Sequence, residues 1–166
     1  MEPLFINRYV RDEAVYREVY QYNLFKRPLS LTLCVLMGLC FLANLVPLLM
    51  GEPAPDALFI APVFFVLLYI CYRRQTSLSV KRDLENCGHP PTVVYEVTEA
   101  GIRLLFETNP VSTVSFSQIR RVMETKHLIL LQSEAKLLHI FHKDGFVVGS
   151  VPEFNKFLWD KKIRFR

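Results

Sequence analysis

The alternation of polar and apolar positions divides the chain into three stretches. Residues 28–51 contain no charged side chain and are mostly leucine, with valine, phenylalanine, methionine, cysteine and alanine. A helix over 28–50 would be roughly 34 Å long at 1.5 Å per residue, enough to cross a hydrocarbon core of about 30 Å. A second uncharged run, 57–72, is shorter, and Arg73 and Arg74 can snorkel to extend it to residue 74. Between the runs, residues 51–56 carry Glu52, Asp56 and two prolines but no base. The pattern predicts transmembrane helices over 28–50 and 57–74 joined by a tight external turn. A cleavable signal peptide fits poorly, because residues 1–27 are rich in charge and aromatics and the first run exceeds an h-region.

The flanking stretches have other periods. Residues 4–10 read as a short strand able to join a sheet elsewhere. Asp12 is placed to cap a helix running towards Phe25, with Val15, Val19 and Tyr22 at helical spacing and Tyr16 and Tyr20 broadening the apolar side. Residues 1–27 thus form an amino-terminal arm whose apolar side must be covered by the membrane surface or the carboxy-terminal region. After Arg74 no Pro or Gly interrupts the chain until Gly88 and Pro90-Pro91, so residues 75–91 form a helical stalk and linker. From residue 92 the chain reads as seven strands: 92–97, 102–107, 111–116, 119–124, 128–132, 136–142 and 146–151. Gly101 closes the loop 98–101 and is expected at positive φ. Residues 152–162 form a helix with Phe154, Phe157 and Leu158 in one stripe, suited to closing an open barrel.

Charge adds orientation. With 20 Lys+Arg against 16 Asp+Glu, the net charge of +4 is too small to argue for nucleic acid. Its distribution matters more. Lys26, Arg27, Arg73, Arg74, Lys81 and Arg82 flank the two runs on one side, and the turn has no base, so both termini are expected in the cytoplasm with these six at the membrane interface. Neither run contains an ionisable Asp, Glu, Lys, Arg or His, which argues against a pump or self-sufficient transporter. Asn44 is the one strongly polar side chain there and reads as structural. Cys34 with Gly38, and Ala57 with Ala61, are small-residue pairs that permit close helix contact. Pro47 and Pro62 are expected to kink or loosen the helices. Three of the four cysteines lie inside the apolar runs, so they do not form a disulfide framework.

The candidate chemistry is sparse. His139-x-x-His142-x-Asp144 has metal-like composition, but residues three apart on a strand point to opposite faces. Cys87-x-His89 lacks a second ligand pair. Ser115 and Ser117 lack a nucleophile elbow, and no glycine loop for phosphate is present. No catalytic residue, cofactor or metal is therefore expected.

The stretch Val114-Ser115-Phe116-Ser117-Gln118-Ile119-Arg120-Arg121-Val122, then Glu124-Thr125-Lys126 and the apolar strand from Leu128 to Leu131, resembles the YcxB-like family of bacterial membrane proteins. Ile140-Phe141-His142-Lys143-Asp144-Gly145-Phe146 stands where that family has an Ile-Pro-Lys-Arg-x-Phe-like segment, with Phe141 and Asp144 departing from it. The resemblance implies a bacterial inner-membrane protein of α+β class: a transmembrane helical hairpin, then a small pleckstrin-homology-like β-barrel over 92–166 capped by a helix. It implies no activity. Pleckstrin-homology domains that bind inositol phosphates use bases around the first hairpin loop; here that loop offers Glu99, with Arg103 alone nearby. The leading expectation is a non-enzymatic interaction module with the lipid bilayer and a membrane or cytoplasmic protein as partners, and room for a homo-oligomer. The alternative is an accessory subunit or immunity-type protein acting through its hairpin.

Overall fold

The computed structural model describes residues 2–26, 28–51, 59–107 and 109–165. The chain is α+β. Among the described residues the order is β1 (Phe5–Val10), α1 (Glu13–Lys26), α2 (Pro28–Leu49), α3 (Ile60–Cys87), β2 (Thr92–Val97), β3 (Gly101–Phe106), β4 (Asn109–Ser115), β5 (Ile119–Glu124), β6 (Leu128–Ser133), β7 (Leu138–His142), β8 (Phe146–Val148), α4 (Val151–Asp160) and β9 (Arg164–Phe165). The chain divides into a β unit, Met1–Val15 with Asp83–Arg166, and a helical unit, Tyr16–Arg82.

The β unit draws on both ends of the chain. Its five-stranded sheet runs β4-β3-β2-β1-β8, and its four-stranded sheet runs β7-β6-β5-β9. β1 therefore lies between β2 and β8, antiparallel to both, with Phe5 opposite Val97 and Val10 opposite Thr92. Alternation decides which side of β1 faces inward: Phe5, Asn7 and Tyr9 are buried, and Arg8 and Val10 are exposed. The chain changes sheet through two 3-10 turns, Phe116–Gln118 and Lys143–Gly145.

The sheets do not close into one hydrogen-bonded barrel, in contrast to the expected barrel. Side chains cover the seam where β7 faces the first sheet. Asn7 Nδ2 donates to the His142 carbonyl at 2.7 Å, and Asn7 Oδ1 accepts from the His142 N–H at 3.1 Å. The Tyr95 hydroxyl accepts from the Ile140 N–H at 3.2 Å. One amide and one phenol thus satisfy backbone groups that a neighbouring strand would otherwise take.

The core is aromatic. Phe154 of α4 meets Phe5, Phe141 and Phe146 at ring separations of 5.3, 4.9 and 5.3 Å, and Tyr95 stacks on Phe141 at 4.4 Å. Among the described residues eight strands follow residue 91 rather than seven, because β9 pairs in parallel with β5 after the helix ends. α4 stops at Asp160, short of the expected residue 162. Gly101 does not adopt positive φ. It is required because a Cβ there would stand 2.5 Å from the Val114 carbonyl oxygen of the adjacent strand.

The Asp12 carboxylate accepts from the Val15 N–H at 3.0 Å, capping α1 from its N-cap position. Beyond its first turn, in the helical unit, α1 lies along α3. Tyr20 Oη and Ser79 Oγ are 2.8 Å apart, and Tyr72 Oη donates to the Arg17 carbonyl at 3.4 Å. One described helix, over Leu31–Leu49, is long and apolar enough to cross a membrane. α3 combines an apolar first half, residues 60–72, with a polar second half, and ends at Gly88, whose φ of +75° terminates it. Pro62 falls in the first turn of α3, where its missing N–H has no helical partner to lose, so it forces no kink.

Candidate functional site

Two groups of residues could face a partner. The first is the set of bases flanking the apolar helices. Lys26 ends α1, and Arg27 lies outside the described residues. Arg73, Arg74, Lys81 and Arg82 are all exposed on α3. At about 100° per residue they fall within one half of the helix circumference. The other half holds Tyr72, Thr76 and Ser79, the side that faces α1. Tyr69 and Tyr72 stand immediately before Arg73, and an Arg73 guanidinium nitrogen donates to Tyr69 Oη at 3.5 Å. An apolar helix segment that ends in tyrosines and then arginines has the composition of a membrane–water boundary.

On α2 the half-buried residues Cys34, Met37, Gly38, Phe41, Asn44 and Leu45 recur at helical spacing and form one stripe. The small residues Cys34 and Gly38 lie on it. Ala61 of α3 is buried, and Ala57 lies outside the described residues. Asn44 Nδ2 donates to the Cys40 carbonyl one turn back at 2.7 Å, so this amide is engaged within its own helix.

The sequence candidates in the β unit separate in space or serve the fold. His139 faces the core and His142 the opposite side of β7. The His139 ring packs edge-on to Tyr95 at 6.1 Å, its Nε2 is buried without a hydrogen-bond partner, and burial holds its pKa below the usual histidine value. Burial pushes the Tyr95 hydroxyl up to about 12, against the opposing pull of its bond from Ile140 N–H and the Arg11 charge. His142 Nδ1 accepts from the Asp144 N–H at 3.2 Å, which sets the neutral ring as its Nε2–H tautomer. Ser115 and Ser117 share a 3.0 Å hydroxyl contact, and Gln118 Oε1 accepts from the Ser115 N–H, so this cluster caps the turn between sheets. His89 Nδ1 is 4.0 Å from Glu107 Oε1. Among the described residues no group of three His, Cys, Asp or Glu could hold a metal ion. Arg103, the base that follows the first hairpin loop in sequence, pairs with Glu96 across β2 and β3 at 3.6 Å.

The second group lies at the end of α4. Lys162 N–H donates to the Trp159 carbonyl at 2.8 Å and Ile163 N–H to the Leu158 carbonyl at 3.3 Å, the two bonds of a Schellman turn. Ile163 and Leu158 are both buried, supplying the apolar contact of that motif. Lys162 occupies the left-handed position at φ 58°, where glycine is the unstrained residue. Trp159, the only tryptophan, is 69% exposed, with its ring 6.0 Å from that of Phe165. Its position one residue beyond the Phe154, Phe157 and Leu158 stripe was the available signal. No family model, curated protein or solved structure matches this chain.

Proposed function

We propose that the protein is a membrane-anchored, non-enzymatic interaction module resembling the YcxB-like family. In this reading a transmembrane helical hairpin holds a pleckstrin-homology-like β unit at the cytoplasmic face of a bacterial inner membrane. There the unit binds a protein or peptide.

The pairing of β1 with β2 carries the argument. Hydrogen-bonded strands share a compartment, so residues 5–10 and 92–97 lie on the same side of any membrane. The residues between them must then cross an even number of times. α2 supplies one crossing, and its exposed side chains are leucines and valines that water would not solvate well. The return crossing falls to the uncharged run that ends in residues 60–72 of α3. That helical stretch is about 20 Å long, and the uncharged residues from Ala57 and the snorkelling Arg73 and Arg74 extend it. The base-free turn and the exposed Arg73, Arg74, Lys81 and Arg82 support a cytoplasmic β unit.

The test is topological and biochemical together. Cys87, at the end of α3, should react with a membrane-impermeant maleimide only in inverted vesicles, and the chain should resist carbonate extraction. Partners captured from detergent extracts by the full chain should be lost when β1 is deleted, because residues 92–166 alone lack a central strand. Labelling of Cys87 on intact cells, or release by carbonate, would overturn the reading.

A further inference from the structure

The corner formed by α4, its terminating turn and β9 carries several bases beside the exposed Trp159 and the half-buried Phe165. Lys156, Lys161, Lys162 and Arg164 are exposed there against two acids on the same elements, Glu153 and Asp160. Lys161 is committed to the fold: its ammonium lies 5.3 Å from the Phe157 ring and 5.7 Å from that of Phe116, and it donates to the Glu99 carbonyl. Lys162 and Arg164 are not. Arg164 is the register partner of Arg121 across the parallel β5 and β9 pair, which sets two guanidinium-bearing residues side by side. Arg121 Nε donates to Gln132, yet among the described residues neither arginine nor Lys162 meets a carboxylate within 4.0 Å. Adjacent like charges are unfavourable unless an anion joins them. Lys162 adds an independent observation, since it keeps a charged side chain at a left-handed position that glycine would occupy without strain.

We propose that this corner of the β unit docks on the anionic surface of the bilayer, with Trp159 entering the head-group layer and Arg121, Lys162 and Arg164 facing lipid phosphates. The inference rests on the membrane-anchor reading and gives the β unit a second, peripheral contact with the same bilayer. Tryptophan combines an apolar body with a polar N–H and is favoured at the head-group level, and each nearby base adds attraction to anionic lipid. A domain tethered by its own membrane helices meets the surface at high effective concentration, so a small patch suffices.

The sole tryptophan is its own reporter. The full chain is placed in lipid nanodiscs of phosphatidylcholine alone or mixed with phosphatidylglycerol, with bromine on the upper acyl chain of some lipids. Trp159 emission should be quenched by the brominated lipid in the phosphatidylglycerol discs, far less in phosphatidylcholine discs, and high salt should remove the difference. Lys162→Gly, which suits the turn, and Arg164→Gln should each lower the docked population ratio about fivefold. If the chain co-elutes with both discs but Trp159 stays equally open to aqueous acrylamide and untouched by brominated lipid, the docking is wrong and the anchor stands. A chain that does not co-elute with discs overturns the anchor and the docking together.

Discussion

Leu130 and Leu131 in the β unit are fully buried, whereas Leu39 and Leu42 on α2 are 57% and 59% exposed. The same residue type follows opposite rules in two parts of one chain. In the β unit alternating apolar residues turn inward, and polar groups that remain inside find partners, as Asn7 does. In the helical unit most leucines and valines of α2 face outward, while its half-buried stripe mixes Cys34, Gly38 and Asn44 with Met37, Phe41 and Leu45. Under the membrane-anchor proposal the two units face different solvents, and substitutions that matter in one unit should be silent in the other.

The largest effect is expected from Phe154→Ala, which removes a ring in contact with Phe5, Phe141 and Phe146 at the centre of the β unit. The cost is about 4 kcal/mol. Near-ultraviolet circular dichroism of the full chain in detergent should lose its aromatic signal, while carbonate resistance persists. A stable β unit in that variant would mean the aromatic cluster is not the core.

Leu39→Arg probes the other solvent. Near the middle of the apolar helix, a buried arginine in lipid costs about 3 kcal/mol, whereas at an exposed position in water it costs almost nothing. The membrane-inserted fraction should fall, with the β unit unfolding at an unchanged temperature. Unaltered insertion would remove α2 as a span.

Asn7→Ala should cost about 2 kcal/mol, because it leaves the buried N–H and C=O of His142 without partners. Amide hydrogen exchange would accelerate first at β7 and β8, and the helical unit would show no change.

The periods that report burial were legible before any coordinates: the strands at residues 92–97 and 119–124, the Asp12 cap and the Gly88 stop all follow from local chemistry. Long-range partners were not. Phe5, Asn7 and Tyr9 mark β1 as a strand, but nothing local says that it enters a sheet formed some 85 residues later. Alternation places Asn7 inward, and only the fold reveals that its amide stands in for a missing strand. β9 escaped notice because two residues, Arg164 and Phe165, are too few to show a period. Of the candidate sites, the bases on α3 could be read from charge asymmetry. The corner at Trp159 depends on a turn whose left-handed residue is a lysine, which sequence rules assign to glycine.

The smallest expected effect is reversible and confined to the β unit. His139 is buried beside Tyr95 with an unpartnered Nε2, and burial keeps its ring neutral below the usual value of 6.5. An unfolded chain takes up that proton as pH falls through about 6.5, whereas the folded chain resists it. Stability is therefore complete above that pH and declines below it. His139→Phe keeps a ring against Tyr95 while removing the titrating group. Thermal unfolding across about pH 7.5 to 5, a range that spans the ordinary histidine value, should show a shallower decline for the variant than for the parent chain. His89, His127 and His142 remain in both proteins, so the difference between the two slopes belongs to His139. Equal slopes would mean that the ring gains a proton as readily inside the β unit as in water, and that its surroundings are more polar than the packing implies.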